Sequence, residues 1–109
     1  MNETEFLARG EAILDSIESQ ASDWVALYRV NVETSRSGHA LTLIFDDAIQ
    51  VAVGVRPADR EIGVTAPSGG LHYRFDGLRW NDTRGGPALS EALSQICSEA
   101  TGQPIKVII

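Results

Sequence analysis

The chain is 109 residues long, 43% hydrophobic and 22% charged, with a formal net charge of -6. That is one domain's worth of globular composition, which excludes a disordered tail and lets one modest core form without metal or disulfide staples. No apolar run approaches the ~20 residues of a membrane span. The acidic opening Met1-Asn2-Glu3-Thr4-Glu5 argues against a signal or transit peptide. A single cysteine, Cys97, rules out an internal disulfide and makes a reducing cytoplasm the expected home.

Residues 3–23 read as an amphipathic helix. Phe6, Gly10, Ile13, Ile17, Ala21 and Trp24 recur every three or four positions, and Asn2 with Glu5 fits an N-cap and its partner three residues on. Charge is uneven. The first 24 residues hold Glu3, Glu5, Glu11, Asp15, Glu18 and Asp23 against Arg9 alone, whereas arginines and acids balance between 25 and 84. Such a surface repels phosphates, so nucleic acid is not expected as a partner; cations or a basic protein surface suit it better.

From residue 28 the period becomes two. Val30, Val32 and Thr34 alternate with Arg29, Asn31 and Glu33, and Ser35-Arg36-Ser37-Gly38 reads as a turn. Further alternating sets follow at Leu41–Phe45, Val51–Val55, Ile62–Ala66 and Leu71–Phe75. Asp76-Gly77 signals a two-residue hairpin before Leu78-Arg79-Trp80. Such short connections leave no room for helical crossovers, so the strands form an antiparallel meander. A second helix is predicted over 87–101, with Leu89, Leu93, Ile96, Cys97 and Ala100 buried and Gly102 and Pro104 ending it. The apolar tail Ile105–Ile109 should pack on the domain. The expected fold is an α+β two-layer sandwich, an antiparallel five- to six-stranded sheet with the N- and C-terminal helices on one face, forming a single domain over 1–109.

Glu11, Asp15 and Glu18, spaced four and three apart, share one stripe beside the apolar one. Asp23 lies at the helix end, and Glu33 on the next strand is expected near it. Oxygen donors on a convex surface suit hard cations, including iron, held loosely with waters retained. A merely solvated helix face is the competing reading. His39 in a turn and His72 on the outer sheet face lack the close acidic, Cys or His partner of a tight metal site. Cys97 reads as a buried, inert hydrophobe, and neither Gly69-Gly70 nor Gly85-Gly86 sits in the strand–loop–helix setting of a phosphate cradle. With no nucleophile elbow either, catalysis is not expected. By parity the outer sheet face carries Arg29, Asn31, Glu33, Thr42, Ile44, Gln50, Gly54, Arg56, Gly63, Thr65, His72 and Arg74, a polar surface open to a partner.

Four stretches together resemble the frataxin/CyaY family: Met1–Phe6 with Ile17-Glu18 and Asp23-Trp24, Leu41-Thr42-Leu43 with Phe45, Gly69–Phe75 running on through Arg79-Trp80 to Asp82-Thr83-Arg84, and Thr101–Ile105. The third is the most specific. The resemblance implies an iron-binding accessory protein of iron–sulfur cluster assembly. Its acidic ridge would hold iron weakly and dock the cysteine desulfurase, and its sheet face would meet the scaffold protein on which clusters are built. Carried over, Glu18, Asp23 and Glu33 match ridge positions, and Glu11 and Asp15 extend the ridge. Glu18, Asp23, Arg56, Gly63 and His72 fall at partner-facing positions. Two departures stand out. Val25–Asn31 has no carboxylate where the family is dense in aspartates, and Gly54, Arg56 and Gly63 replace the family's asparagine, glutamine and exposed tryptophan. Iron binding below the family norm is therefore expected, from a monomer. A metal-independent interaction module on the same fold is the alternative, and a ferroxidase activity a remoter one.

Overall fold

The computed structural model describes residues 1–109. The order is α1 (Glu3–Tyr28), β1 (Val32–Ser37), β2 (Ala40–Phe45), β3 (Ile49–Arg56), β4 (Glu61–Ala66), β5 (Gly69–Phe75), β6 (Trp80–Asp82) and α2 (Leu89–Thr101). The six strands form one antiparallel meander in the order β1-β2-β3-β4-β5-β6. This is the expected α+β fold with the upper strand count. No helix is long and apolar enough to cross a membrane.

The sheet buries one face. Leu41, Leu43 and Phe45 of β2, Val51, Val53 and Val55 of β3, and Ile62 and Val64 of β4 join Phe6, Leu14, Ile17 and Trp24 of α1 and Leu89 and Leu93 of α2 in a single core. Alternation along each strand is what delivers those side chains to one side. Gly10 permits the closest approach of α1 to the sheet, since a Cβ there would stand 2.5 Å from Val55 Cγ1. Trp24 stacks on Phe45 at 6.4 Å between ring centroids, and Phe6 meets Trp80 edge-on at 5.6 Å. Both tryptophans are buried.

Asn2 caps α1 by accepting from the Glu5 backbone N–H (2.7 Å), and its amide donates to the Glu5 carboxylate (3.1 Å). The helix runs five residues past the predicted end. Val25–Tyr28 are good helical residues, and the helix stops only at Arg29, whose left-handed φ of 56° sends its N–H back to the Trp24 carbonyl. The alternation seen from residue 28 is thus helix and connector up to Asn31. Its last turn leaves Leu27 and Tyr28 exposed.

Two turns also differ from expectation. Ser37 pairs with Ala40, so the first hairpin turns at Gly38-His39, and Arg36 belongs to β1 rather than to a turn. Phe75 pairs with Trp80, so Asp76–Arg79 form a four-residue connection in place of the two-residue hairpin read from Asp76-Gly77. Asp76 explains the longer turn: its carboxylate accepts from the Leu78 and Arg79 N–H groups (2.8 and 2.9 Å) and the Asn81 amide (2.7 Å).

Helix α2 begins two residues later than predicted, at Leu89, after an Ala88 N-cap with no side-chain bond. The tail packs as expected. Ile105 and Val107 are buried, and the hydroxyls of Ser90, Ser94 and Ser98 bond its backbone. Gln20 of α1 grips Ile108 through both its N–H (2.9 Å) and its carbonyl (2.7 Å).

Candidate functional site

Helix α1 brings Glu11, Asp15 and Glu18 to its β1 flank, where they meet a cation already supplied by the fold. Strand parity places Val32, Thr34 and Arg36 on the side of β1 that faces α1. Arg36 donates to all three carboxylates: through Nη2 to Glu11, and through Nη1 to Asp15 (2.9 Å) and Glu18 (2.7 Å). These hydrogen bonds hold its guanidinium pKa well above the ordinary arginine value, with Asp15 and Glu18 contributing most. His39, in the hairpin turn, places Nδ1 2.8 Å from the other Glu11 oxygen. The Arg36 side chain is 27% exposed and that of Asp15 72%, so one edge of the cluster stays in water.

The other two ridge candidates stand apart. Asp23 lies five residues beyond Glu18, which at about 100° per residue turns it about 140° round the helix. Glu33 pairs with Ile44 and has the opposite parity to Arg36, so it belongs to the outer face of the sheet. No group of three or more His, Cys, Asp or Glu side chains is arranged to hold a metal ion. The oxygen donors suit a hard cation, but the place at their centre is taken by a guanidinium.

Arg36 is the residue the sequence reading missed, and His39, read there as having no close partner, stands beside Glu11. The signal was available: with the turn at Gly38-His39, Arg36 is two alternations on from Val32 and points the same way.

The outer sheet face gathers the remaining candidates. Gly63 pairs with Gly54 on one side and His72 on the other, and a Cβ at Gly63 would lie 3.4 Å from Arg56 Nε. Arg56 therefore lies over a bare strip of backbone. Glu61 accepts from Arg74 (2.8 Å), and its other oxygen is 3.3 Å from His72 Nδ1. Each histidine thus has one carboxylate neighbour, contrary to expectation. Cys97 is fully buried, and burial pushes its thiol up to about 12, which leaves it inert.

Comparison with known proteins agrees with this fold. Residues 1–103 match the frataxin-like domain. The chain belongs to the frataxin-like family. It is 62% identical to the iron-sulfur cluster assembly protein CyaY of Bordetella petrii and 61% to that of Bordetella pertussis, each over 98% of both chains. The corresponding Paraburkholderia phymatum protein is 37% identical over the same share. Among solved structures, frataxin from Psychromonas ingrahamii superposes with a TM-score of 0.77 at 18% identity over 100% of both chains. Trimeric yeast frataxin from Saccharomyces cerevisiae, complexed with ferrous iron, gives 0.71 at 16% identity over 86% of both. At such identities these two likenesses bear on fold alone. The relatives are named as assembly proteins rather than enzymes.

Proposed function

We propose that this frataxin-like protein is an accessory protein of cytoplasmic iron–sulfur cluster assembly, not an enzyme, acting as a monomer. Its α1 flank carries iron weakly as cargo and docks the cysteine desulfurase, whose activity it modulates. Its outer sheet face, around Arg56, Gly63 and His72, meets the scaffold protein. The observation that carries this reading is the convergence of Glu11, Asp15 and Glu18 on one guanidinium. Three carboxylates around one cation leave a local surplus of two negative charges, and the stripe is already organised to take a positive group. A basic side chain of the desulfurase or a hydrated ferrous ion is of the kind it takes. Asp23 and Glu33 act as outlying acids that add to the field rather than as ligands of one shared ion.

Arg36 makes iron binding weak, because a metal ion must work from the exposed rim of Asp15 or displace the guanidinium. The same observation favours a second reading, in which the flank exchanges Arg36 for a partner's basic group and metal has no role. Titration with Co(II) as a ferrous surrogate, followed by amide NMR, separates the two when paired with calorimetry against the desulfurase. Broadening at Glu11, Asp15 and Glu18 at millimolar metal supports the iron reading. Desulfurase binding without such broadening supports the second. Failure of both removes this flank from either role.

A further inference from the structure

On the opposite flank of α1 lies a groove that neither the acidic flank nor the outer sheet face touches. It encloses about 500 Å³ between α1, the β5–β6 connection and the start of α2, and Ile13, Phe75, Trp80 and Leu89 help to line it. Two arginines, Arg9 and Arg79, complete its lining. Arg9 is nine residues from Glu18, half a turn round the helix at about 100° per residue. Its guanidinium lies 4.5 Å from the Phe75 ring centroid, against an aromatic face.

The acids nearest to these arginines in sequence have other hydrogen-bond partners. Glu11 is bonded to Arg36 and Glu5 to the Asn2 cap, Asp76 takes three hydrogen bonds within its own turn, and Asp82 accepts from the Arg84 N–H. Neither arginine forms an ion pair, although the chain carries a net charge of -6. Beside Arg79 stands Leu78, 90% exposed, its backbone fixed by Asp76. Ile109 adds a second partly exposed aliphatic side chain at the same opening. Exposed aliphatic groups held beside an apolar groove, with two guanidinium groups outside any ion pair, form a surface complementary to apolar side chains flanked by carboxylates.

We infer that this groove docks an acidic peptide segment of a partner protein, whose apolar side chains enter between Phe75, Trp80 and Leu89 while its carboxylates meet Arg9 and Arg79. The protein then offers partners two faces of opposite charge on the two flanks of one helix. The site owes nothing to the iron reading and stands or falls separately from it.

The test titrates isotope-labelled full-length protein with a synthetic peptide of leucine and phenylalanine set among glutamates. A control peptide carries lysine for each glutamate. Expected are saturable shifts at the amides of Arg9, Leu78, Arg79 and Ile109 with the acidic peptide only. Arg79→Glu should weaken binding about tenfold or more, as expected for losing a charge-assisted contact and adding a like charge. Leu78→Ser should weaken it several-fold. Because Leu78 is exposed, that variant keeps the fold and guards against a misfolded Arg79→Glu. Equal binding of the lysine peptide, shifts centred on Glu11–Glu18, or no shift at all overturns the proposal. Shifts at the groove that grow with protein concentration alone overturn it too, in favour of a second copy as occupant.

Discussion

The two flanks of α1 treat charge in opposite ways. On the β1 flank the fold supplies Arg36 to three carboxylates, so one of the three negative charges is compensated inside the molecule and the carboxylates are held together around it. On the α2 flank neither Arg9 nor Arg79 is in an ion pair, and the groove they line is mostly apolar. Formal charge along the sequence points to the first flank as the interaction surface. The three-dimensional arrangement shows that the charge-rich flank carries a counter-ion of its own, while the charge-poor one carries its cations outside any ion pair. What a partner meets is the uncompensated remainder, not the count of residues.

The sharpest way to break this comparison is to remove the aromatic beneath each flank. Trp80→Ala empties the floor of the groove, and Trp24→Ala removes the ring stacked on Phe45 below the far end of α1. Each should cost about 3–5 kcal/mol by chemical denaturation, since both rings are buried. Only Trp80→Ala should change the α2 flank as seen by NMR.

Next in size is the release of the acidic flank. Arg36→Gln leaves Glu11, Asp15 and Glu18 facing one another without a counter-charge. Co(II) affinity should rise about tenfold, because a divalent ion about 5 Å from a guanidinium is repelled by roughly 1.5–2 kcal/mol even in water. Stability should fall by about 1 kcal/mol at low salt, partly recovered by added salt or by the metal. Unchanged Co(II) affinity in this variant would mean that Arg36 does not compete for the carboxylates.

Much of this was legible in the sequence. The six-stranded meander followed from two-residue periodicity and short turns, because each strand buries one face and the pattern has no other use. Asn2, Trp24, Trp80 and the buried tail were likewise readable from local chemistry. Boundaries fared worse where two signals compete. Val25–Tyr28 suit helix as well as strand, and the helix's own backbone ladder carries α1 on to the Arg29 cap although Val25, Leu27 and Tyr28 are exposed. Ser35-Arg36-Ser37-Gly38 has turn composition, yet hairpin pairing extends β1 through Ser37. That shift of three residues converts Arg36 from a loop charge into the centre of the acidic flank. Asp76-Gly77 shows the same limit, since a side chain that caps three donors outweighs a dipeptide preference. Glu33 and Asp23 were matched to the ridge through the family resemblance, whereas strand parity already put Glu33 on the outer sheet face and helical angle turns Asp23 away from Glu18.

The acid-sensitive part of the comparison is Asp76, which sets the turn that holds Leu78 beside the groove. Its hydrogen bonds from the Arg79 and Leu78 backbone and the Asn81 amide lower its pKa to about 2 from the ordinary 3.8. The folded state therefore binds this proton less readily than the unfolded chain. The stability it contributes is complete above about pH 4 and disappears as pH falls from there toward 2. Asp76→Asn should lower the melting temperature at pH 6 and 7 by the same amount, and that difference should shrink below pH 4. A difference that holds constant down to pH 2 would assign the turn's stability to something other than this carboxylate.

The smallest effect belongs to the most prominent acid in the sequence reading. Glu18→Gln removes one of three acceptors around Arg36, but Glu11 and Asp15 keep the guanidinium in place and the glutamine oxygen can still accept from Nη1. Stability should change by no more than about half a kcal/mol, as is usual for partly exposed pairs. A larger loss would show that the three contacts act as a unit, with Arg36 released when any one fails. The β1 flank would then be a latch rather than three separate contacts. A double-mutant cycle of Glu18→Gln with Arg36→Gln measures that coupling directly, and a coupling near zero keeps the two flanks as different as the structure draws them.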